Sequence, residues 1–242
     1  MRRPIASAAR AAVGRGVRAK VAPFRKGQDL MTEQTKTAEA FATVLRTRRS
    51  IDLYEPTPVD PAVLLEAIDV ARWAPNHKLT QPWRFYLVGP QTAAAIIELA
   101  AEIDAAKKGE RAGEVRRARW KAVPGFFVLT CVRSDSPMQE HEDYGACCCA
   151  AENLMLYLWQ RGIGTKWGTG RVTHDPRFYE LLGIDATKET VVGFFFYGVP
   201  KVVPEQKRKP LEEIVSRRSG SFDVVRRSSC GCRPVRPRAP AA

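Results

Sequence analysis

The chain has 242 residues, 45% hydrophobic and 27% charged, which suits one globular domain with its own core. Its formal net charge of +13 sits in the ends: residues 1–30 carry eight Lys/Arg against Asp29, and residues 216–242 carry seven Arg against Asp223. The body's 24 basic and 24 acidic side chains cancel, which excludes a dedicated nucleic-acid face there, and no apolar run reaches the ~18 residues of a membrane span.

Residues 1–30 and 216–242 are expected to be basic, disordered extensions around a domain spanning 31–215. The first 28 residues hold eight basic side chains and no acid, which imitates an organellar transit peptide. The Arg/Ala/Pro bias returns in the C-terminal tail, however, and favours a coding-composition effect with Met31 as the functional start.

In chain order, residues 37–48 read as a helix with Phe41, Val44 and Leu45 on one face. Asp60-Pro61 caps and starts a second helix, whose apolar face is Val63, Leu64, Ala67, Ile68 and Ala71, and Pro75 ends it. Arg84 to Val88 is a short strand, followed by helices over 91–106 and 109–121. The unbroken apolar run Phe126 to Val132 predicts a strand buried on both faces. Residues 144–161 form a long helix, apolar nearly all round, which would be buried on every side. A glycine-rich turn from Gly162 to Gly170 follows, then a short helix near 176–182 and an apolar strand from Val191 to Tyr197. The pattern is a mixed α+β domain with a small central sheet and many helices.

Cys147, Cys148 and Cys149 are consecutive, so on a helix they point about 100° apart and cannot converge on one metal. They and Cys131 read as small buried residues, Cys230 and Cys232 as incidental; reduced thiols fit a cytoplasmic enzyme, and no metal site is expected. No Gly-x-Ser-x-Gly elbow, P-loop or zincin spacing is present, and His77, His141 and His174 are far apart. Nucleophilic and metal-dependent catalysis therefore find no recognisable arrangement in this sequence.

Four segments make a ligand inventory instead. Arg48-Arg49-Ser50 offers guanidinium forks and a hydroxyl suited to phosphate. Gln81, before Pro82-Trp83, offers an amide for the edge of a heteroaromatic ring. Glycines 162, 164, 168 and 170 would let backbone approach a flat ligand, and Lys207-Arg208-Lys209 adds charge.

The order of these segments resembles the nitroreductase family of flavoproteins. The resemblance is carried by Arg48-Arg49-Ser50, Pro58-Val59, Ala71-Arg72-Trp73-Ala74-Pro75 and Gln81-Pro82-Trp83-Arg84-Phe85. It continues through Gly162-Ile163-Gly164-Thr165-Lys166-Trp167, Gly193 to Pro200 and Lys207 to Val215, and covers roughly residues 40–215. Many members have Asn two residues before the Gln-Pro-Trp glutamine, where this chain has Leu79; its Asn76-His77-Lys78 is similar to a smaller branch.

The resemblance implies a small, mainly antiparallel central sheet surrounded by helices, in an intertwined homodimer that binds FMN and uses NAD(P)H as electron donor. Arg48, Arg49 and Ser50 would hold the phosphate and ribityl chain, with Arg208 closing on the phosphate. Trp167, Gly168 and Thr169 would line the flavin, and His77 and Gln81 would contact it. The implied activity passes a hydride from NAD(P)H through flavin to a small acceptor, such as a nitroaromatic or quinone. Two alternatives are a non-catalytic flavin-binding protein and a nucleic-acid-associated protein acting through its Arg-rich tails. No dedicated nucleic-acid or membrane partner is expected.

Overall fold

A computed structural model describes residues 28–216, with side chains from residue 33 onward. The chain divides into two units, residues 1–204 and 205–242. The expected disorder of 1–30 and 216–242 and the role of Cys230 and Cys232 lie almost wholly outside the described residues. Helix α1, however, already begins at Gln28 and runs to Thr47.

The first unit is built on a four-stranded antiparallel sheet in the order β1-β2-β4-β3, with β1 Trp83–Val88, β2 Gly125–Val132, β3 Gly164–Gly168 and β4 Glu189–Gly198. Period-two alternation divides the apolar residues of the central strands between two cores. Phe127, Leu129, Cys131 and Phe195 face helices α2 (Pro61–Ala71) and α5 (Pro137–Gln160). Phe126, Val128, Phe194 and Phe196 face α3 (Pro90–Lys108), α4 (Glu110–Lys121) and α6 (Pro176–Leu182). The continuous apolar run of β2 is thus buried on both faces although its neighbours are antiparallel, because helices cover both sides.

Asp60 caps α2 by accepting from Ala62 N at 2.9 Å, with Pro61 in the first turn. Helix α5 starts seven residues before the expected 144, because Ser136 accepts from Gln139 N and Pro137 occupies the first turn. It is also not buried all round. Ala146, Cys147, Ala150, Leu154 and Leu158 are buried, while Gly145 and Cys149 are exposed and Glu152 and Leu156 only half-buried. Those last four recur at helical spacing and form one open stripe.

The expected turn at 162–170 is replaced at its centre by β3. Gly164 answers to packing, since a Cβ there would lie 2.4 Å from Ile51 and 2.8 Å from Pro200, whereas Gly162 answers to its backbone, at φ +75°. A bulge in β4 explains a second glycine. The β2–β4 register skips Val192, and the Val192 carbonyl accepts from Trp167 Nε1 at 3.0 Å. The indole then lies across Gly193, where a Cβ would meet Nε1 at 2.2 Å. Gly193→Ala should therefore displace Trp167 and cost about 1–3 kcal/mol by overpacking. Chemical denaturation checks this; a variant as stable as the parent would show that Trp167 moves aside freely.

Candidate functional site

The site begins where α1 ends. Arg48, half-buried, places Nε 3.5 Å from Glu152 of α5, which leaves the terminal amino groups of its fork without a partner among the described residues. Arg49 turns back: its Nη1 donates to the carbonyls of Arg46 (2.6 Å) and Arg48 (2.8 Å), which occupies it at the helix end. Ser50 is exposed and forms a parallel bridge to Thr165 of β3, fixed by Ile51 N donating to Thr165 O at 3.0 Å. The Thr165 hydroxyl is buried beside this bridge without a hydrogen-bond partner among the described residues.

Two residues on, the chain enters a cavity of about 470 Å³ on the α3/α4 face of the sheet. Its apolar wall is Trp120, Phe194 and Phe196, whose rings pack at 5.1–5.5 Å. Gly168 and Thr169 line it. Its polar wall is organised by two carboxylates that each join two cations. Asp52 accepts from Arg119 Nη2 at 2.6 Å and from Lys166 Nζ. Asp104 accepts from Arg116 Nε at 2.7 Å and lies 3.6 Å from Arg171 Nη1. The Lys166 ammonium, and secondarily the Arg119 guanidinium, hold the Asp52 carboxyl below the usual carboxylate range. Asp52, Arg116, Arg119 and Lys166 were not singled out from the sequence.

His77 and Gln81 lie elsewhere. The segment Asn76–Gln81 is a strained turn in which Lys78, Leu79 and Gln81 all have positive φ, at 56°, 54° and 47°. It is pinned to the N-terminal half of α5: His77 Nδ1 is 2.7 Å from Glu142 Oε2, and Thr80 Oγ1 donates to the buried Asp143 at 2.5 Å. Gln81 N donates to Asn76 Oδ1 at 3.0 Å. Neither His77 nor Gln81 lines the cavity. The α5 residues to which His77 and Arg48 are anchored, Glu142 and Glu152, stand ten positions apart, about 15 Å along a helix. Trp167 packs on Phe195 at 5.2 Å, its N–H already spent on Val192. Arg208 belongs to the second unit, where its Nη1 donates to Gln206 Oε1 at 2.9 Å.

The chain runs from Ser50 into the cavity that Asp52, Gly168 and Thr169 line, whereas Arg48, Ser50, His77 and Gln81 do not line it, and Arg48 and His77 both reach α5 on the other face of the sheet. A guanidinium fork suited to phosphate thus stands, along the chain, just ahead of a cation-walled cavity with an aromatic wall, on an α+β fold. The sequence profile of the Nitroreductase family matches residues 45–199. The chain belongs to the nitroreductase family, a family of oxidoreductases.

It is 30% identical over 188 residues to YfhC of Bacillus subtilis, which carries the name NAD(P)H nitroreductase; the match covers 75% of this chain and 96% of YfhC. It is 25% identical to YdjA of Escherichia coli, likewise named, over 68% of this chain and 90% of YdjA. A crystal structure of a nitroreductase-like family protein from Bacillus cereus superposes with a TM-score of 0.66 at 30% identity, covering 74% of this chain and 96% of that one. A nitroreductase from Exiguobacterium sibiricum, solved with FMN, shares the fold at 14% identity and a TM-score of 0.61, over 74% of this chain and 97% of that one. No helix among the described residues is long and apolar enough to cross a membrane.

Proposed function

We propose that this protein is an FMN-dependent oxidoreductase that takes electrons from NAD(P)H and passes them to a small acceptor such as a nitroaromatic or quinone. The observation that supports this reading is that the Arg48–Ser50 segment runs directly along the chain into Asp52, which lines the cavity with Gly168 and Thr169. The donors present fit FMN. Arg48 has a free fork for the phosphate and Ser50 an exposed hydroxyl, while the cavity offers an aromatic wall and a surplus of cations. When bound, FMN would supply the two-electron chemistry that no side chain of this protein provides. The protein's own part is to bind, to orient and to set the charge around the ring. Arg49 contributes backbone rather than its side chain, which is committed to the helix end.

The functional unit in this proposal is a homodimer. Phe41 and Leu45 of α1 are 60% and 46% exposed, and the α5 stripe Gly145, Cys149, Glu152, Leu156 is open beside them. A second copy covering these residues removes apolar surface from water. It also gives His77 and Gln81 a role that they cannot have in one chain, namely contact with the flavin of the other copy. The described cysteines are free thiols, which suits the reducing cytoplasm as its location.

Steady-state oxidation of NADH and NADPH, with FMN and either a nitroaromatic or a quinone, tests the activity. Turnover that requires both FMN and acceptor is expected. Bound FMN that neither nucleotide reduces would instead establish a flavin-sequestering protein.

A further inference from the structure

Two carboxylates on the cavity wall each join two cations, and they differ in a way that matters. Asp104 is 9% exposed and closely paired with Arg116, whose guanidinium also lies 5.0 Å over the Trp120 ring. It serves the fold, tying α3 to α4. The Asp52 side chain is 53% exposed, yet two cations from separate elements converge on it: Lys166 from β3 and Arg119 from α4. Exposed ion pairs contribute only about 0–1 kcal/mol to stability. Folding alone gives little reason to gather two cations on one open carboxylate.

What the cluster does set is local charge. With Asp52 ionised, the three groups sum to +1; without it they would present +2 to the same wall. Asp52 lies two residues beyond Ser50 and lines the cavity together with Gly168 and Thr169, the segment proposed above to border the flavin ring. Hydrogen bonding from Lys166 keeps the carboxyl charged throughout the physiological range.

We propose that Asp52 is a positioning residue that fixes Lys166 and Arg119 at the cavity wall and halves the positive field they present to the flavin ring. This rests on the FMN reading above. Hydride transfer from NAD(P)H delivers two electrons and one proton, leaving NAD(P)+ and one added negative charge on the ring. Nearby cations favour that reduced state, and a carboxylate between them restrains the preference. The device makes the bound flavin a stronger reductant toward its acceptor than the bare cations would allow, while Lys166 and Arg119 stay ordered.

At an effective dielectric near 20, one unit charge within about 10 Å changes such a balance by about tenfold. For a two-electron couple tenfold is about 30 mV. The experiment is a spectroelectrochemical titration of the FMN-loaded protein and its variants, with the affinity for oxidised FMN measured in parallel. Asp52→Asn should move the midpoint potential positive by about 30 mV, that is, tighten reduced over oxidised FMN about tenfold. Lys166→Met should move it negative, and Asp52→Glu should restore the parental value. An FMN-loaded Asp52→Asn protein whose potential is unmoved or more negative overturns the inference and leaves the functional reading standing. A parent protein that takes up no FMN overturns both.

Discussion

Leu158→Asp should abolish folding, whereas Leu156→Glu, two residues earlier on the same helix, should spare the fold and dissolve the proposed dimer. Both positions belong to the apolar run of α5 and are indistinguishable by composition. The fold separates them: Leu158 is 0% exposed inside the α2/α5 core of its own chain, while Leu156 lies on the open stripe with Gly145, Cys149 and Glu152. Truncating a buried leucine costs about 2–5 kcal/mol, and an unpaired buried carboxylate adds several more. The sum approaches the 5–15 kcal/mol that holds a typical domain together, here roughly its whole margin. Circular dichroism should show no cooperative melt for Leu158→Asp. Leu156→Glu should keep a native helical spectrum, sediment as a monomer and release FMN. A Leu156→Glu protein that remains dimeric and FMN-saturated would remove α5 from the proposed interface.

The second large effect concerns Arg48→Ala. In the protein its Nε leans on Glu152 at 3.5 Å and the rest of its fork is uncommitted. Removing a charge-assisted phosphate partner costs about 1.5–3 kcal/mol. That corresponds to roughly a ten- to over a hundredfold loss of FMN affinity. Glu152 loses its partner too, but its side chain is 44% exposed, so the fold should hardly register the change. Arg48→Lys should recover part of the affinity, because it keeps the charge but not the fork. Fluorescence titration with FMN measures both. An unchanged dissociation constant for the alanine variant would move the phosphate away from Arg48.

The elements that were legible in the sequence are those whose signals are local. Asp60-Pro61 marks a helix start because a cap and a fixed φ act over three residues. Phe126 to Val132 and Val191 to Tyr197 mark buried strands because every second residue must fill one of two cores. The start of α5 was also local, a Ser136-to-Gln139 cap with Pro137, but was obscured by the polar first turns that precede the apolar run. Strand β3 was harder. Glycines usually punctuate turns, and here Gly164 admits Ile51 and Pro200 instead, a contact that only the assembled sheet reveals.

The site divides in the same way. Arg48 and Ser50 are proposed because a phosphate cradle would be short and contiguous, and the order of the motifs carried the family. Asp52, Arg116, Arg119 and Lys166 come from a loop, a helix and a strand, so no spacing announces them. Arg49 resembles Arg48 in sequence, yet its guanidinium closes its own helix end. His77 and Gln81 stand on one strained turn. The single chain, however, places them by Glu142, away from the cavity, and that separation is what a second copy is proposed to resolve.

The most direct measurement is a titration of the purified parent protein with FMN, followed by visible absorbance and quenching of FMN fluorescence. One FMN per chain, bound saturably with a shifted and structured flavin band, is the predicted result. A chain that leaves both the absorbance and the fluorescence of FMN unchanged would contradict the proposed function.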